Sequence, residues 1–224
     1  MKLYSYCLRY DNGAAPNPFW GICTLVICKP KIRQSAEIGD WIVGTGSANS
    51  DVGNLAGKLV YAMQVTAKMT MRDYDDFCQK NYPNKLPRWR AKEDYRLRLG
   101  DCIYDYSNGD NPKLRLSVHK EVNQKTDMGG KYALISDQFY YFGDNSRQLP
   151  EALLGIVRNL PGHRSDANEP FIESFLQWLS QADLERNKLY GQPQGKKRFL
   201  IEDDSIRGEC ARRDLEQDEE DENC

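Results

Sequence analysis

Only two histidines occur in the 224-residue chain, and one of them sits among groups that could share its proton. His119 follows Ser117-Val118, with Asn123 and Asp127 further along, Asp105 on the preceding stretch and Ser136 beyond. An imidazole within hydrogen-bonding reach of Asp105 or Asp127 would be an acid or base near neutral pH, and it could also read the edge of a base. A histidine serving only as a structural donor is the competing reading of the same residue. His163, beside Gly162, Arg164 and Ser165, could meet a phosphate or simply lie in a solvated loop.

The second constellation is aromatic. Trp20, Trp41, Tyr140 and Tyr141 are rings on which a flat base could stack, for about 1–3 kcal/mol each. Ser47 and Asn123 could then read its edges, and Arg88 or Arg90 could hold backbone phosphate. Core packing is the alternative for each ring, because large aromatic side chains are usually well buried.

Several chemistries have no sequence support. The chain lacks a phosphate-binding glycine loop ending in Lys-Ser/Thr, a dinucleotide fingerprint, a His-Glu-x-x-His pair and a nucleophile elbow. Its seven cysteines form an odd set without repeated spacing, and most sit in apolar runs, which fits the reducing cytosol. Cys23 and Cys28 are five apart, so on one strand they face opposite ways and cannot share a metal; both read as core residues. Neither a metal nor another cofactor is expected.

The elements that must position these groups come from the apolar pattern. Residues 2–10 and 21–28 read as strands, separated by a loop that Pro16 and Pro18 stiffen. Lys31 to Glu37 is a short helical turn. The Gly39-Asp40 turn then opens an apolar strand that breaks into Gly44-Thr45-Gly46-Ser47, predicting a glycine-floored mouth beside the strand at 57–66. Thr70 caps a helix with Met71, Tyr74, Phe77 and Cys78 on one face. Residues 81–98 are polar and basic around Trp89 and Tyr95, predicting a long exposed loop. Further strands follow at 99–106, 133–136 and 139–142; the last carries four aromatics, two of them expected to face away from the core. Pro150 starts a helix with Leu153, Leu154 and Val157 as its stripe, and residues 169–187 form the longest helical pattern.

Composition bounds the whole. With 40% hydrophobic and 29% charged residues, the chain can bury one core, and no apolar stretch is long enough to cross a membrane. The expectation is a soluble, cytoplasmic protein with a single α+β domain over 1–190 and a mobile tail over 191–224. Of the 31 Lys and Arg and 33 Asp and Glu, three arginines and eleven acids fall from residue 201 onward, leaving a mildly basic body with an acidic tail. A basic body suits phosphate-bearing partners without requiring them.

Four stretches carry a resemblance. They are residues 11–21 (Asp-Asn-Gly-Ala-Ala-Pro-Asn-Pro-Phe-Trp-Gly), 39–47 (Gly-Asp-Trp-Ile-Val-Gly-Thr-Gly-Ser), 100–104 (Gly-Asp-Cys-Ile-Tyr) and 139–143 (Phe-Tyr-Tyr-Phe-Gly). Together they resemble the nucleotide modification associated domain family, most closely its second type. That resemblance implies a bacterial or phage system that modifies nucleic-acid bases or senses modified ones. The order of elements over 38–76 is also similar to the EVE and PUA-like barrels, which hold modified bases in an aromatic pocket.

The resulting expectation is a small, partly closed, mainly antiparallel β-barrel or strongly twisted sheet with peripheral helices. It would bind a nucleotide or modified nucleic acid in an aromatic pocket. The alternative is a nucleotide- or base-modifying enzyme using His119 with Asp105 or Asp127.

Overall fold

The computed structural model describes residues 1–158 and 162–200. Its strands are β1 (Leu3–Leu8), β2 (Cys23–Leu25), β3 (Trp41–Gly46), β4 (Lys58–Gln64), β5 (Ala67–Thr70), β6 (Tyr104–Asp105), β7 (Lys113–Leu114), β8 (Tyr132–Ser136), β9 (Phe139–Tyr141), β10 (Arg147–Gln148), β11 (His163–Arg164) and β12 (Lys188–Leu189). The α-helices are α1 (Pro30–Ser35), α2 (Met71–Asn81), α3 (Gln124–Gly129), α4 (Ile172–Gln181) and α5 (Lys196–Phe199).

The larger sheet runs β11-β1-β3-β4-β9-β12, with β10 also on β4; the smaller is β2-β8-β5, and β6 pairs only with β7. β1 lies parallel to β3 and β9 parallel to β12, while the remaining pairs are antiparallel. The large sheet ends on two-residue edge strands that do not pair with each other. It is therefore open, and the expected barrel and its PUA or EVE likeness give way to a layered α+β fold.

Strand alternation sorts side chains into layers. Tyr4, Tyr6, Ile42, Tyr61 and Tyr141 meet Cys23, Leu25 and Leu134 between the two sheets. Val43, Ala62, Tyr140 and Phe142 face the other way, toward Phe175 and Leu179 of α4. Ala133 and Ile135 look out from the small sheet onto Met71, Tyr74 and Cys78 of α2. Both faces of β9 are thus covered, so no aromatic pair on that strand is left over for a ligand. The glycine floor is covered too: the Tyr61 ring lies where a Cβ on Gly44 would stand, and Gly46 abuts Leu55.

Helix chemistry follows the sequence closely in α2, whose Thr70 hydroxyl accepts the Asp73 N–H at 3.2 Å. Elsewhere packing shortens the expected elements. The helix after Pro150 is a 3-10 segment, Glu151–Ile156, that buries Leu153 and Ile156 and leaves Leu154 exposed. The long pattern near the C-terminus becomes a 3-10 turn, Asp166–Phe171, leading into α4. The residues that follow β12 pack on the domain. Tyr190 N–H donates to Tyr141 O, Gly195 N–H donates to Asp11 O, and the buried Phe199 ring stands edge-on to Trp89. The acidic segment from residue 201 lies outside the described residues.

The segment 81–98 is the largest departure. Lys85, Trp89, Leu97 and Arg98 are buried. The Lys85 ammonium lies between Asn17 O (2.9 Å), Asn17 Oδ1 (2.8 Å) and Thr24 Oγ1 (2.9 Å). Thr24 donates in turn to Asp101 Oδ2 at 2.5 Å, and Tyr74 donates to Asp101 Oδ1 at 2.8 Å. Burial lowers the Lys85 pKa and raises that of Asp101, each effect opposed by the other's charge. Removing one partner would leave the other's charge without compensation. Lys85→Ala is therefore expected to cost about 3–5 kcal/mol of stability in denaturant unfolding, against less than about 1 kcal/mol for the exposed Lys80→Ala. Equal costs would show that the network carries no weight.

Candidate active site

After β2 the chain stays buried through Val26 and Ile27, then turns sharply. Cys28 and Lys29 both adopt left-handed backbone conformations (φ 58° and 43°), and Pro30 opens α1 with its fixed φ. A left-handed non-glycine residue costs on the order of 1–3 kcal/mol and persists only where its surroundings hold it. Here they do: Cys28 N–H donates to Asp127 Oδ1 at 2.8 Å, and Cys28 O accepts from Arg33 Nε at 2.8 Å. Arg33 is fully buried, and its guanidinium also donates to the carbonyls of Val26, Asp127 and Tyr132. Gly130 makes room for it, since a Cβ there would occupy the space of the guanidinium. One cation thereby ties the Cys28 turn to the helix that carries Asp127.

Asp127 lies on α3, one short helix beyond the His119 loop. Asn123 closes the intervening turn by accepting the Lys120 N–H at 3.1 Å. Asp127 Oδ2 is 2.7 Å from His119 Nδ1 and accepts from Tyr104 Oη at 2.9 Å. His119 Nε2 is 3.5 Å from Cys28 Sγ. Burial pushes the Asp127 pKa up, but the charge and hydrogen bond of His119, the charge of Arg33 and the Cys28 N–H together hold it below the ordinary carboxylate range. An ionised Asp127 accepts from Nδ1–H, which leaves Nε2 to take a proton from the thiol. Burial, with the charge and hydrogen bond of Asp127 adding to it, drives the Tyr104 pKa far up, so its hydroxyl stays a donor.

The cluster is buried, with 8% exposure at Cys28, 1% at His119 and 0% at Asp127. Its Sγ, imidazole nitrogen and carboxylate oxygen lie within 4.8 Å of one another, a spacing that also suits a metal. The carboxylate is engaged within the protein: Asp127 Oδ1 accepts from Cys28 N–H, and Oδ2 faces Tyr104 Oη and His119 Nδ1.

Of the residues singled out from sequence, the structure brings together His119 and Asp127. Asp105 is elsewhere, accepting the Ser107 N–H at 2.9 Å and lying 3.5 Å from Arg115; that backbone hydrogen bond is the main cause of its lowered pKa. The aromatic rings do not converge. Trp41 stands edge-on to Phe175 with Tyr140 in the same layer, Tyr141 is buried between the sheets, and Trp20 packs with Phe19 under the Arg96 guanidinium. Trp41, Tyr140 and Tyr141 are buried, and Trp20 is half-buried. The Ser47 hydroxyl accepts the Asn49 N–H, and like Asn123 it serves a local turn. Arg88 and Arg90 are exposed, with Arg88 paired to Glu93 at 3.8 Å. His163 sits on β11 beside the Tyr4 ring.

Cys28 is buried in the core, as its sequence context suggests; what the sequence does not reveal is that its sulfur lies beside His119. The usable signal was an apolar run ending in Cys-Lys-Pro: a proline that can only begin a helix forces a sharp strand-to-helix turn at the cysteine. Arg33 and Tyr104 left no such mark.

The arrangement defines a class: an open, layered α+β protein with a thiol, an imidazole and a carboxylate clustered at a left-handed turn. A family model for nucleotide modification associated domain 2 matches residues 1–200, and the chain belongs to that family. No curated protein and no solved structure matches the chain significantly. Among the described residues, no helix is long and apolar enough to cross a membrane.

Tyr141, freed from its expected stacking role, has a structural one. Its hydroxyl lies 2.7 Å from both oxygens of the buried Asp11. Burial raises the Asp11 pKa to about 7 despite that bond and backbone hydrogen bonds from Gln194 and Gly13. A carboxyl raised in the folded state stabilises below its unfolded pKa, and that contribution fades as pH climbs through 7. Wild type is expected to lose about 2–3 kcal/mol relative to Asp11→Asn between pH 5 and pH 8, measured by urea unfolding. Parallel pH profiles for the two proteins would refute the assignment.

Proposed function

We propose that this chain is a cysteine-nucleophile enzyme acting on an acyl group carried by a nucleotide or a nucleic-acid base. The observation that carries the reading is the continuous relay from Cys28 Sγ through His119 to Asp127, with separations of 3.5 Å and 2.7 Å. Membership of a nucleotide modification associated family supports the choice of substrate class. Base recognition then belongs to substrate binding, and the rings first considered for it do not form its pocket.

The chemistry follows from the roles. His119 Nε2 takes the thiol proton as Sγ attacks the carbonyl carbon of an amide or ester, forming the C–S bond. The C–N or C–O bond breaks, and the leaving amine or alcohol takes the proton from the imidazolium. A water molecule, deprotonated by the same imidazole, then attacks the thioester, releasing the acid and restoring the thiol. Asp127 keeps the imidazole in the right tautomer and steadies its positive charge throughout. Arg33 and Tyr104 act through Asp127 as positioning residues.

Site-resolved iodoacetamide labelling tests the assignment without a known substrate. Below pH 7.5, Cys28 is expected to react about tenfold or more faster than Cys7, whose pKa burial raises. His119→Ala and Asp127→Asn should each cut that rate by about tenfold while leaving Cys7 unchanged. A Cys28 profile that rises only near pH 8.5 and ignores His119→Ala would sink the proposal.

A further inference from the structure

On the far side of the large sheet from the Cys28 cluster, α4, β10 and β12 enclose a cleft of about 700 Å³. That volume is within the range of small-molecule sites and is large enough for a nucleotide. Trp178 and Tyr190 line it and are each half-buried, with the Lys188 ammonium 5.6 Å over the Tyr190 ring. Both are held from behind. Tyr190 stacks on Phe142 with centroids 5.4 Å apart and planes at 24°, and Trp178 packs on Phe175 at 6.1 Å. Rings fixed in this way lose little entropy when a base stacks on them.

Arg147 supplies the charge. Its guanidinium lies 5.9 Å over the Phe142 ring, and Nη1 is 3.5 Å from Ala182 O, a marginal hydrogen bond. Among the described residues no carboxylate pairs with it, whereas most other charged side chains along this edge have partners, Lys188 with Glu185 for example. Gln181 adds an amide that can donate to or accept from a base edge, and Gln148, whose Nε2 already donates to Gly57 O and Leu149 O, adds its carbonyl oxygen. Asp183, the acid at the rim, is solvent-exposed.

We propose that this cleft binds a nucleotide unit, its base stacked on the Trp178 and Tyr190 wall and its phosphate on Arg147. The site is separate from the Cys28 cluster. It shares with the proposed reaction only the expectation that the partner carries a nucleotide, and it stands or falls independently of the thiol chemistry. A free nucleotide and one residue of a single strand present the same ring and phosphate, so both are probes. In a strand, the neighbouring residues would extend across the molecule, leaving this cleft as an anchor that keeps the polymer near the enzyme.

Fluorescence anisotropy of a 5′-labelled single-stranded oligodeoxynucleotide, with unlabelled dAMP as competitor, tests the cleft on the full chain at low salt. Saturable binding is expected, weakened about tenfold by Arg147→Gln and by Trp178→Ala, and unchanged by Lys80→Ala at an exposed position of α2. Arg147 contributes its backbone, not its side chain, to the β10 pairing, so its variant should fold. Gln181→Glu, which places a negative charge in the cleft from an exposed helix position, should weaken binding as well. Displacement by dAMP would identify the free nucleotide as a sufficient ligand; binding of the oligonucleotide without displacement would require the strand. The proposal is overturned if neither probe binds at roughly millimolar concentration, or if binding persists unchanged in Arg147→Gln, Trp178→Ala and Gln181→Glu.

Discussion

The buried charge of Asp127, held beneath the Arg33 guanidinium, is the interaction on which the rest of the site depends. An isolated carboxylate in that position would be neutralised, because transferring an unpaired charge out of water costs far more than a fold can supply. Asp127 stays ionised because Cys28 N–H, Tyr104 Oη, His119 Nδ1 and the nearby Arg33 all favour its charged form. Each of those groups comes from a different part of the chain. The carboxylate therefore does two jobs: it fixes the imidazole, and it gathers the segments that must meet.

The strained turn at Cys28 is tolerable for the same reason. Its N–H is held by Asp127 and its carbonyl by Arg33, so releasing the left-handed conformation would break bonds to two buried charges at once. Cys28 is itself buried, with His119 Nε2 3.5 Å from its sulfur. Reactivity and structural integrity are thus coupled, and substitutions that loosen the ion cluster affect the thiol before they touch any ligand.

Much of the local structure was legible in sequence because it rests on neighbouring residues. Thr70 caps α2, Pro30 begins α1, and β3 and β4 lie where apolar runs between turn residues put them. The segment 81–98 misled because polar composition normally signals solvent. Lys85 is buried only because Asn17, Thr24 and Asp101, distant in sequence, arrive to satisfy it. The open sheet likewise depended on which edges meet, a matter of long-range pairing that strand patterns do not encode.

By itself, the sequence determined the α+β class, the family and the pairing of an acid with His119, because those rest on periodicity, on recognisable stretches and on the scarcity of histidine. Only the tertiary structure decided which carboxylate that acid is, that a buried cysteine stands beside the imidazole, and that Tyr141 and Trp20 lie in different layers from Trp41 and Tyr140. Strand alternation sends adjacent aromatics to opposite faces, and a site is a convergence of segments far apart along the chain. Residue types announce what chemistry is available; only packing brings the partners within hydrogen-bonding distance.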